Sequence, residues 1–102
     1  MDTITISNVE YEPLKDTIDF DMEFHDEADL FVAVNEDVGI KVSSESISDL
    51  KEKLVSMLDF MVDFYIIQGQ GNPSDALKAS IANLKPLVDT SRRTSKEKWK
   101  EN

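Results

Sequence analysis

SISDLKEKLVSMLDFMVDFYII, residues 46–67, is the stretch that decides the fold of this chain. Apolar residues recur in it at steps of three and four, the spacing of one face of an α-helix. Ser46 is a suitable N-cap, Asp49 resembles the second half of a capping box, and Gly69 and Gly71 predict a left-handed C-terminal cap. The sequence predicts one helix, about 33 Å long. Its predicted core residues are Ile47, Leu50, Leu54, Met57, Leu58 and Met61.

The second half of this helix is apolar on more than one side. Between residues 60 and 67 only Asp63 is polar. A helix that is apolar around most of its circumference needs cover from more than one partner. The sequence therefore predicts a second helix or a second subunit at this end. For the second case we expect a homodimer or higher homo-oligomer whose interface includes Phe60, Phe64 and Ile67.

Apolar segments before the helix predict the strands of a small sheet. The clearest is residues 17–24, in which Ile18, Phe20, Met22 and Phe24 alternate with polar residues. Shorter strands are predicted over residues 3–9, 30–34 and 38–42, with 30–34 in a central position. One buried and one solvated face are typical of an antiparallel sheet covered by helix on a single side.

A second helix is predicted after the short connection at residues 68–72. Asn72 or Ser74 is its expected cap, and Pro86 should end it near residue 84 or 85. The predicted fold class is therefore α+β: an antiparallel sheet of three or four strands, one long helix on one face and a second C-terminal helix. Residues 1–89 form the predicted single domain, and residues 90–102 a basic, disordered tail.

The charge of the chain is unevenly distributed. The net charge is −10, but residues 1–70 hold 17 acidic against 4 basic residues, which is −13, and residues 71–102 hold 4 against 7, which is +3. Nucleic-acid affinity depends on lysine and arginine neutralising phosphates, so direct nucleic-acid binding is expected only of the basic tail with Trp99. The acidic body instead attracts a basic protein partner at long range.

Several kinds of site are disfavoured by composition. The chain has no cysteine and one histidine, His25, so thiolate sites are excluded and a histidine zinc site is not expected. No set of residues supports catalysis, and no glycine-rich phosphate loop is present. We therefore expect a non-enzymatic protein with no cofactor and no metal. A start without a signal peptide or membrane span predicts a cytoplasmic location.

The residues predicted to bind a partner lie on one strand face and in one loop. Asp19, Asp21 and Glu23 point to the same side of the second strand, and Glu36 and Asp37 lie in the loop after the third. The sequence leaves two interpretations of the acidic row open, a solvated sheet face and a docking surface. A lesser alternative is a magnesium-dependent enzyme that uses these carboxylates across strands.

Residues 34–50 read VNEDVG at 34–39, IKVS at 40–43 and SESISDL at 44–50. This order of loop, short strand and helix start resembles the HicB-like antitoxin family. The family has a loop of the Val-Pro-Asp-Leu-Pro-Gly type, a short strand and a helix start of the Gly-Asp-Thr-Leu-Glu-Glu-Ala type. After the helix, GNPS at 71–74 is similar to a turn that often follows in that family. The match spans about residues 18–74, while residues 3–15 look like an added segment and Asn35 and Val38 replace the two loop prolines.

The resemblance implies a partial RNase H-like α+β domain and a small basic RNA-cleaving toxin as partner. Full HicB antitoxins usually carry a C-terminal DNA-binding motif, and residues 75–102 are too short for one. The predicted function is thus an acidic, antitoxin-like, protein-binding module that neutralises or regulates a basic nucleic-acid-acting protein. The alternatives are an acidic decoy of phage or mobile-element origin, which mimics nucleic acid, and a self-associating structural domain.

Overall fold

Four strands form one antiparallel sheet in the computed structural model, which describes residues 2–92. They are β1 (Asp2–Ile6), β2 (Ile18–His25), β3 (Leu30–Asn35) and β4 (Ile40–Ser44), and their order in the sheet follows the chain. β3 lies between β2 and β4, in the central position that its apolar sequence predicts. The helices are α1 (Ile47–Met61), continued by a π-helical segment (Val62–Ile67), and α2 (Asp75–Leu84), followed by a 3₁₀ turn (Lys85–Leu87). The predicted α+β class is confirmed.

The strand register divides the sheet into two faces. Side chains alternate along a strand, and directly paired residues share a face. Phe20 pairs with Ile4, and Met22 pairs with Ala33, so these residues share the face that packs against α1. Asp21 pairs with Val34, and Val34 pairs with Lys41, so this row lies on the other face, which we call the open face.

The first turn of α1 is capped by Ser46. Its hydroxyl accepts a hydrogen bond from the backbone N–H of Asp49, as the sequence predicts. In a capping box the Asp49 carboxylate would accept from the backbone N–H of Ser46. Here it accepts instead from the Ser44 hydroxyl at 2.5 Å. Ser44 is buried and its hydroxyl in turn accepts from the Ser46 N–H at 3.4 Å. The end of β4 and the start of α1 are therefore joined by one hydrogen-bonded unit.

The core side of α1 is narrower than the sequence predicts. Leu50, Leu54, Leu58 and Met61 are buried, and Val62 joins them. Ile47 and Met57, both predicted to be core residues, are 44% and 39% exposed. Ile47 is the first residue of the helix and lies at the end of the layer, and Met57 lies at the margin of the apolar stripe. These two predictions were wrong.

The helix ends after the π-helical segment, just before two glycines, as the sequence predicts. Gly69 and Gly71 have φ of 62° and 82°, the left-handed region in which a side chain is unfavourable. The Gln68 N–H donates to the Asp63 carbonyl, and the Gln70 N–H donates to the Phe64 carbonyl. These bonds satisfy the carbonyls that the end of a helix leaves open.

The connection between β1 and β2 contributes core residues that the sequence did not indicate. Tyr11, Pro13 and Leu14 are fully buried. The Tyr11 hydroxyl donates to the Asp59 carboxylate on α1 at 3.4 Å. The strand predicted over residues 3–9 ends at residue 6, and Val9 is 88% exposed. This connection therefore supports the helical layer and is more than a turn.

The end of α2 is fixed to the same connection. Ser74 caps the helix, and Pro86 lies in the 3₁₀ turn that ends it. The Asp89 N–H donates to the Pro13 carbonyl, and the Arg92 guanidinium donates to the Leu14 carbonyl at 3.2 Å. Residues 90–92, predicted to begin the tail, therefore form a helical turn attached to the domain. The rest of the predicted tail, residues 93–102 with Trp99, lies outside the described residues.

Within residues 2–92, no helix combines the length and the apolar character needed to cross a membrane.

Candidate functional site on the open face of the sheet

Three of the predicted partner-binding residues form a row on β2. Asp19, Asp21 and Glu23 are exposed on the open face, while Ile18 and Phe20 are buried on the core face. Same-face neighbours on a strand lie nearly 7 Å apart, so the row is a line of separate negative charges. The alternation of the β2 sequence is what places all three carboxylates on the solvated side.

The loop after β3 brings two more carboxylates to the same end of the sheet. The Asn35 side chain accepts from the N–H groups of Asp37 and Val38, at 2.9 and 3.3 Å, and donates to the Asp19 carbonyl at 2.9 Å. Asn35 thus ties the loop to the start of β2. These hydrogen bonds of Asn35 therefore set the position of Glu36 and Asp37.

The loop is also held from the helical layer. Gly39 has φ of 67°, and its N–H donates to the Glu36 carbonyl. A Cβ at Gly39 would lie 2.5 Å from the hydroxyl of Ser80 on α2. The Asn83 side chain donates to the Asp37 carbonyl at 2.8 Å. Contacts from β2 and from α2 therefore fix this acidic loop.

The structure brings four of the five predicted residues together. Asp19, Asp21, Glu36 and Asp37 line one depression of about 380 Å³, together with Val34 and Asn35. No basic side chain lines it. The Thr5 hydroxyl donates to the Asp19 carboxylate at 2.6 Å and orients it. The depression concentrates negative charge at one end of the open face, which favours a cationic group there.

The fifth residue lies further along the same row. Glu23 is outside the depression, and its carboxylate is 3.3 Å from the His25 ring nitrogen Nε2. Both side chains are about half exposed. His25 therefore lies beside the acidic row, with the nearest carboxylate supplied by its own strand.

The carboxylates of this face do not converge on a point. Across residues 2–92, no three or more histidine, cysteine, aspartate or glutamate side chains are grouped so that they could hold a metal ion. The magnesium alternative requires such a group, formed from the β2 row and the β3–β4 loop. The spacing along β2 and the separation of Glu23 from the depression keep these oxygens apart.

Two carboxyl groups with perturbed pKa values lie elsewhere in the fold. The Ser7 hydroxyl donates to Glu10 at 2.6 Å and lowers the pKa of that carboxyl below its ordinary value. The Ser91 hydroxyl does the same to Asp89, helped by the Ser91 N–H and by Arg92, and lowers its pKa. Both carboxylates stabilise turns and lie apart from the acidic face.

The predicted oligomer-interface residues are divided by the structure. Phe60 is 49% exposed and stacks on Phe64, with ring centroids 5.2 Å apart. Tyr65 packs edge-on against both rings. Ile67 is half-buried and packs against the core. The aromatic cluster therefore consists of Phe60, which is exposed, and of Phe64 and Tyr65, which are half-buried.

Sequence reasoning missed the apolar component of the open face. Leu30, Val32 and Val34 are half-buried on that face, beside the acidic row. Lys41 pairs with Val34 and Ser43 pairs with Val32, so β4 borders them on the other side. The signal was present, since β3 is apolar on both faces. A central strand with a solvated face carries polar residues at alternate positions, and this one does not.

Comparison with models of known protein families, with curated proteins and with solved structures gives no match in any of the three.

Proposed function

We propose that this protein is a non-enzymatic, antitoxin-like binding module that neutralises or regulates a basic protein acting on nucleic acid. Its contact surface is the acidic end of the open face, with Asp19, Asp21, Glu23, Glu36 and Asp37. The observation that supports the proposal is the 380 Å³ depression in which two elements distant in sequence place four carboxylates without a basic residue. The resemblance of residues 34–50 to HicB-like antitoxins supplies the class of partner, a small RNA-cleaving protein. The proposal places the protein in the cytoplasm, where such a partner acts.

Charge supports a protein partner over a nucleic acid. The first 70 residues carry −13, so phosphate groups are repelled from the folded body. A nuclease or nucleic-acid-binding protein has a basic surface, which the acidic face attracts over a distance of about 10 Å at 0.1 M salt. An acidic decoy of phage origin would use the same surface for a host protein, and the identity of the partner separates the two.

Affinity capture from the source cells with three baits tests this proposal. The first bait is the natural chain, and the second carries Asp19→Lys, Asp21→Lys and Glu23→Lys. The third is a matched control with Asp2→Lys, Glu12→Lys and Glu52→Lys, three exposed acidic residues away from the open face. We expect one small basic protein on the first and third baits and its loss from the second.

The outcome that overturns the proposal is equally specific. If the second bait retains every protein that the first retains, the acidic row is only a solvated face. Sequencing of the adjacent open reading frame provides an independent check, because antitoxins are commonly encoded beside their toxins. An RNA-cleavage assay of the captured protein, with and without this chain, then measures neutralisation.

A second proposal is self-association through the aromatic cluster. Phe60 is half exposed although it is stacked on Phe64, and Met57 is exposed one turn earlier. A two-fold dimer would bury these side chains, and Ile67 would contribute only at the margin. Sedimentation at tens of micromolar should show a dimer that Phe60→Ser dissociates. A single 11.6 kDa species for the natural chain would end this proposal.

A further inference from the structure

We propose that the open face docks a basic amphipathic α-helix of the partner in a furrow along β3. This inference rests on the proposed function, because it specifies how the cationic partner is held on the same face. Its basis is the apolar row of β3, defined as Leu30, Val32 and Val34, which the acidic residues alone do not explain.

The apolar row lies in a furrow between the two neighbouring strands. Val34 lines the acidic depression of 380 Å³, and Leu30 and Val32 line a second depression of about 360 Å³ with His25, Lys41 and other residues. The two depressions are lined by successive residues on one face of β3. From Leu30 to Val34 the strand rises about 13 Å. The furrow is therefore as long as about nine residues of an α-helix.

Nothing within residues 2–92 covers the apolar row. α1 packs on the opposite face, where Phe31, Ala33 and Val42 contact the core. Leu30, Val32 and Val34 are half-buried and are not among the residues packed against the core. Covering three such side chains is favourable, because it removes apolar surface from water. Apolar side chains in the centre of an otherwise charged face are typical of a binding surface.

The register gives the furrow one acidic side. Asp21, Val34 and Lys41 form one row across the sheet, and Glu23, Val32 and Ser43 form the next. The β2 side is thus negative beside Val34 and Val32 and carries His25 beside Leu30. The β4 side carries one lysine and one hydroxyl. A complementary partner has apolar side chains facing β3 and lysine or arginine on the flank that faces β2.

A helix meets these requirements and a single extended strand does not. A strand laid face-on over a sheet would leave its own backbone N–H and C=O groups without partners in the contact, whereas a helix satisfies them internally. Helix on sheet is also the packing that this chain already uses on its other face.

A second copy of the chain is a poor occupant. Each open face carries Asp19, Asp21, Glu23, Glu36 and Asp37 against Lys41. Two such faces in contact would bring ten carboxylates towards two lysines, because each copy supplies five and one. Like charges at this density oppose association. The charge of the face therefore favours a cationic helix over self-pairing.

Binding of two synthetic peptides to the full chain tests the inference. Both peptides have about 18 residues of leucine, lysine and alanine in the same composition. In one, the leucines form a single helical stripe with lysines along one flank, and in the other they are scattered. Fluorescence anisotropy of labelled peptides gives the dissociation constants. We expect the amphipathic peptide to bind at least about tenfold more tightly than its scrambled form.

Two variants separate the apolar from the acidic contribution. Val32→Thr with Val34→Thr keeps β-branched residues in the strand and should weaken binding of the amphipathic peptide by about tenfold, with an unchanged salt dependence. Val9→Thr, at the 88% exposed valine, is the matched control and should have no effect. Reversal of Asp19, Asp21 and Glu23 to lysine should weaken binding of both peptides and reduce the salt dependence. Equal urea midpoints confirm that each variant is folded.

The outcomes distinguish failure of the inference from failure of the proposed function. In one outcome, charge reversal abolishes binding, the valine variant binds like the natural chain, and the scrambled peptide binds as tightly as the amphipathic one. The furrow inference is then wrong and the acidic function stands. If charge reversal has no effect on either peptide, both the inference and the proposed function fail.

Methyl NMR contacts from Val32 or Val34 to Trp99 in the chain alone would identify its own C-terminal segment as the occupant. A dimer dissociated by the valine variant would identify a second copy. Either result overturns the inference.

Discussion

The two faces of the sheet are built from the same strands but have opposite relations to their surroundings. On the core face, Phe20 and Ala33 are fully buried and pack against the α1 layer. On the open face, the neighbouring Asp21 and Glu23 are exposed, and no helix within residues 2–92 packs over Val32. Among the described residues, the core face thus has a partner and the open face does not. The residues that maintain the fold and those proposed to bind are therefore interleaved along the same strands, one position apart.

The largest effect is expected from the core face. Leu54 is fully buried, so Leu54→Ala should lower the free energy of unfolding by about 2–5 kcal/mol. Met57→Ala, at a 39% exposed position on the same helix, should cost no more than about 1 kcal/mol. Urea titration followed by far-UV circular dichroism measures both. Equal losses would mean that α1 presents a different side to the sheet.

The next largest loss of stability is expected where the β3–β4 loop contacts α2. Gly39 and Gly69 both have positive φ, so alanine at either position should cost about 1–2 kcal/mol through the backbone alone. A Cβ at Gly39 also meets Ser80, whereas one at Gly69 meets no atom within 4 Å. Gly39→Ala should therefore destabilise the protein more than Gly69→Ala, by at least about 1 kcal/mol. Thermal unfolding of the two variants gives the difference, and similar midpoints would contradict the contact with α2.

A smaller effect of the opposite sign is expected on the open face. Asp19→Asn with Asp21→Asn removes neighbouring negative charges while keeping side chains of the same shape. Stability should stay constant or rise by a few tenths of a kcal/mol at low salt, because like charges on one face repel. The gain should diminish at 1 M salt, where the screening length falls to about 3 Å. A loss above about 1 kcal/mol would show that the row maintains the fold.

The smallest effect is a pH dependence at the edge of the domain. The pKa of Asp89 is lowered in the folded chain by the Ser91 hydroxyl, so the unfolded chain takes up the proton more readily. The resulting stabilisation is present above the ordinary carboxyl value near 3.8 and is lost as pH falls through the lower folded value. Ser91→Ala should reduce this acid-induced loss. Urea midpoints between pH 5 and pH 2 provide the test, with Ser48→Ala as a control at an exposed serine.

Periodicity predicted the elements, and it failed where side chains far apart in sequence meet. The alternation of residues 17–24 and the three- and four-residue steps of residues 46–67 carry their own signal, so β2 and α1 could be predicted. Tyr11 and Leu14 could not be recognised as core, because their burial depends on α1 and on Val88. Ile47 and Met57 share the apolar character of the core residues, and only the position of the sheet excludes them.

The sequence predicted the residues of the candidate site better than it predicted how they are arranged. Asp19 and Asp21 follow from strand alternation. Their proximity to Glu36 and Asp37 depends on the hydrogen bonds of Asn35, which a sequence pattern does not specify. The apolar row of β3 was overlooked because a wholly apolar strand suggests burial on both faces, whereas residues 2–92 cover only one face.

The association rate with the captured basic partner, measured by stopped flow over a range of salt, tests the central claim most directly. Both lysine triples change the net charge equally, from −10 to −4, so only the position of the charges differs. We predict that reversing Asp19, Asp21 and Glu23 slows association at least about tenfold at low salt and only slightly near 0.5 M. Reversing Asp2, Glu12 and Glu52 should slow it much less. Equal losses for the two variants would show that net charge alone steers the partner and would contradict a binding site on the open face.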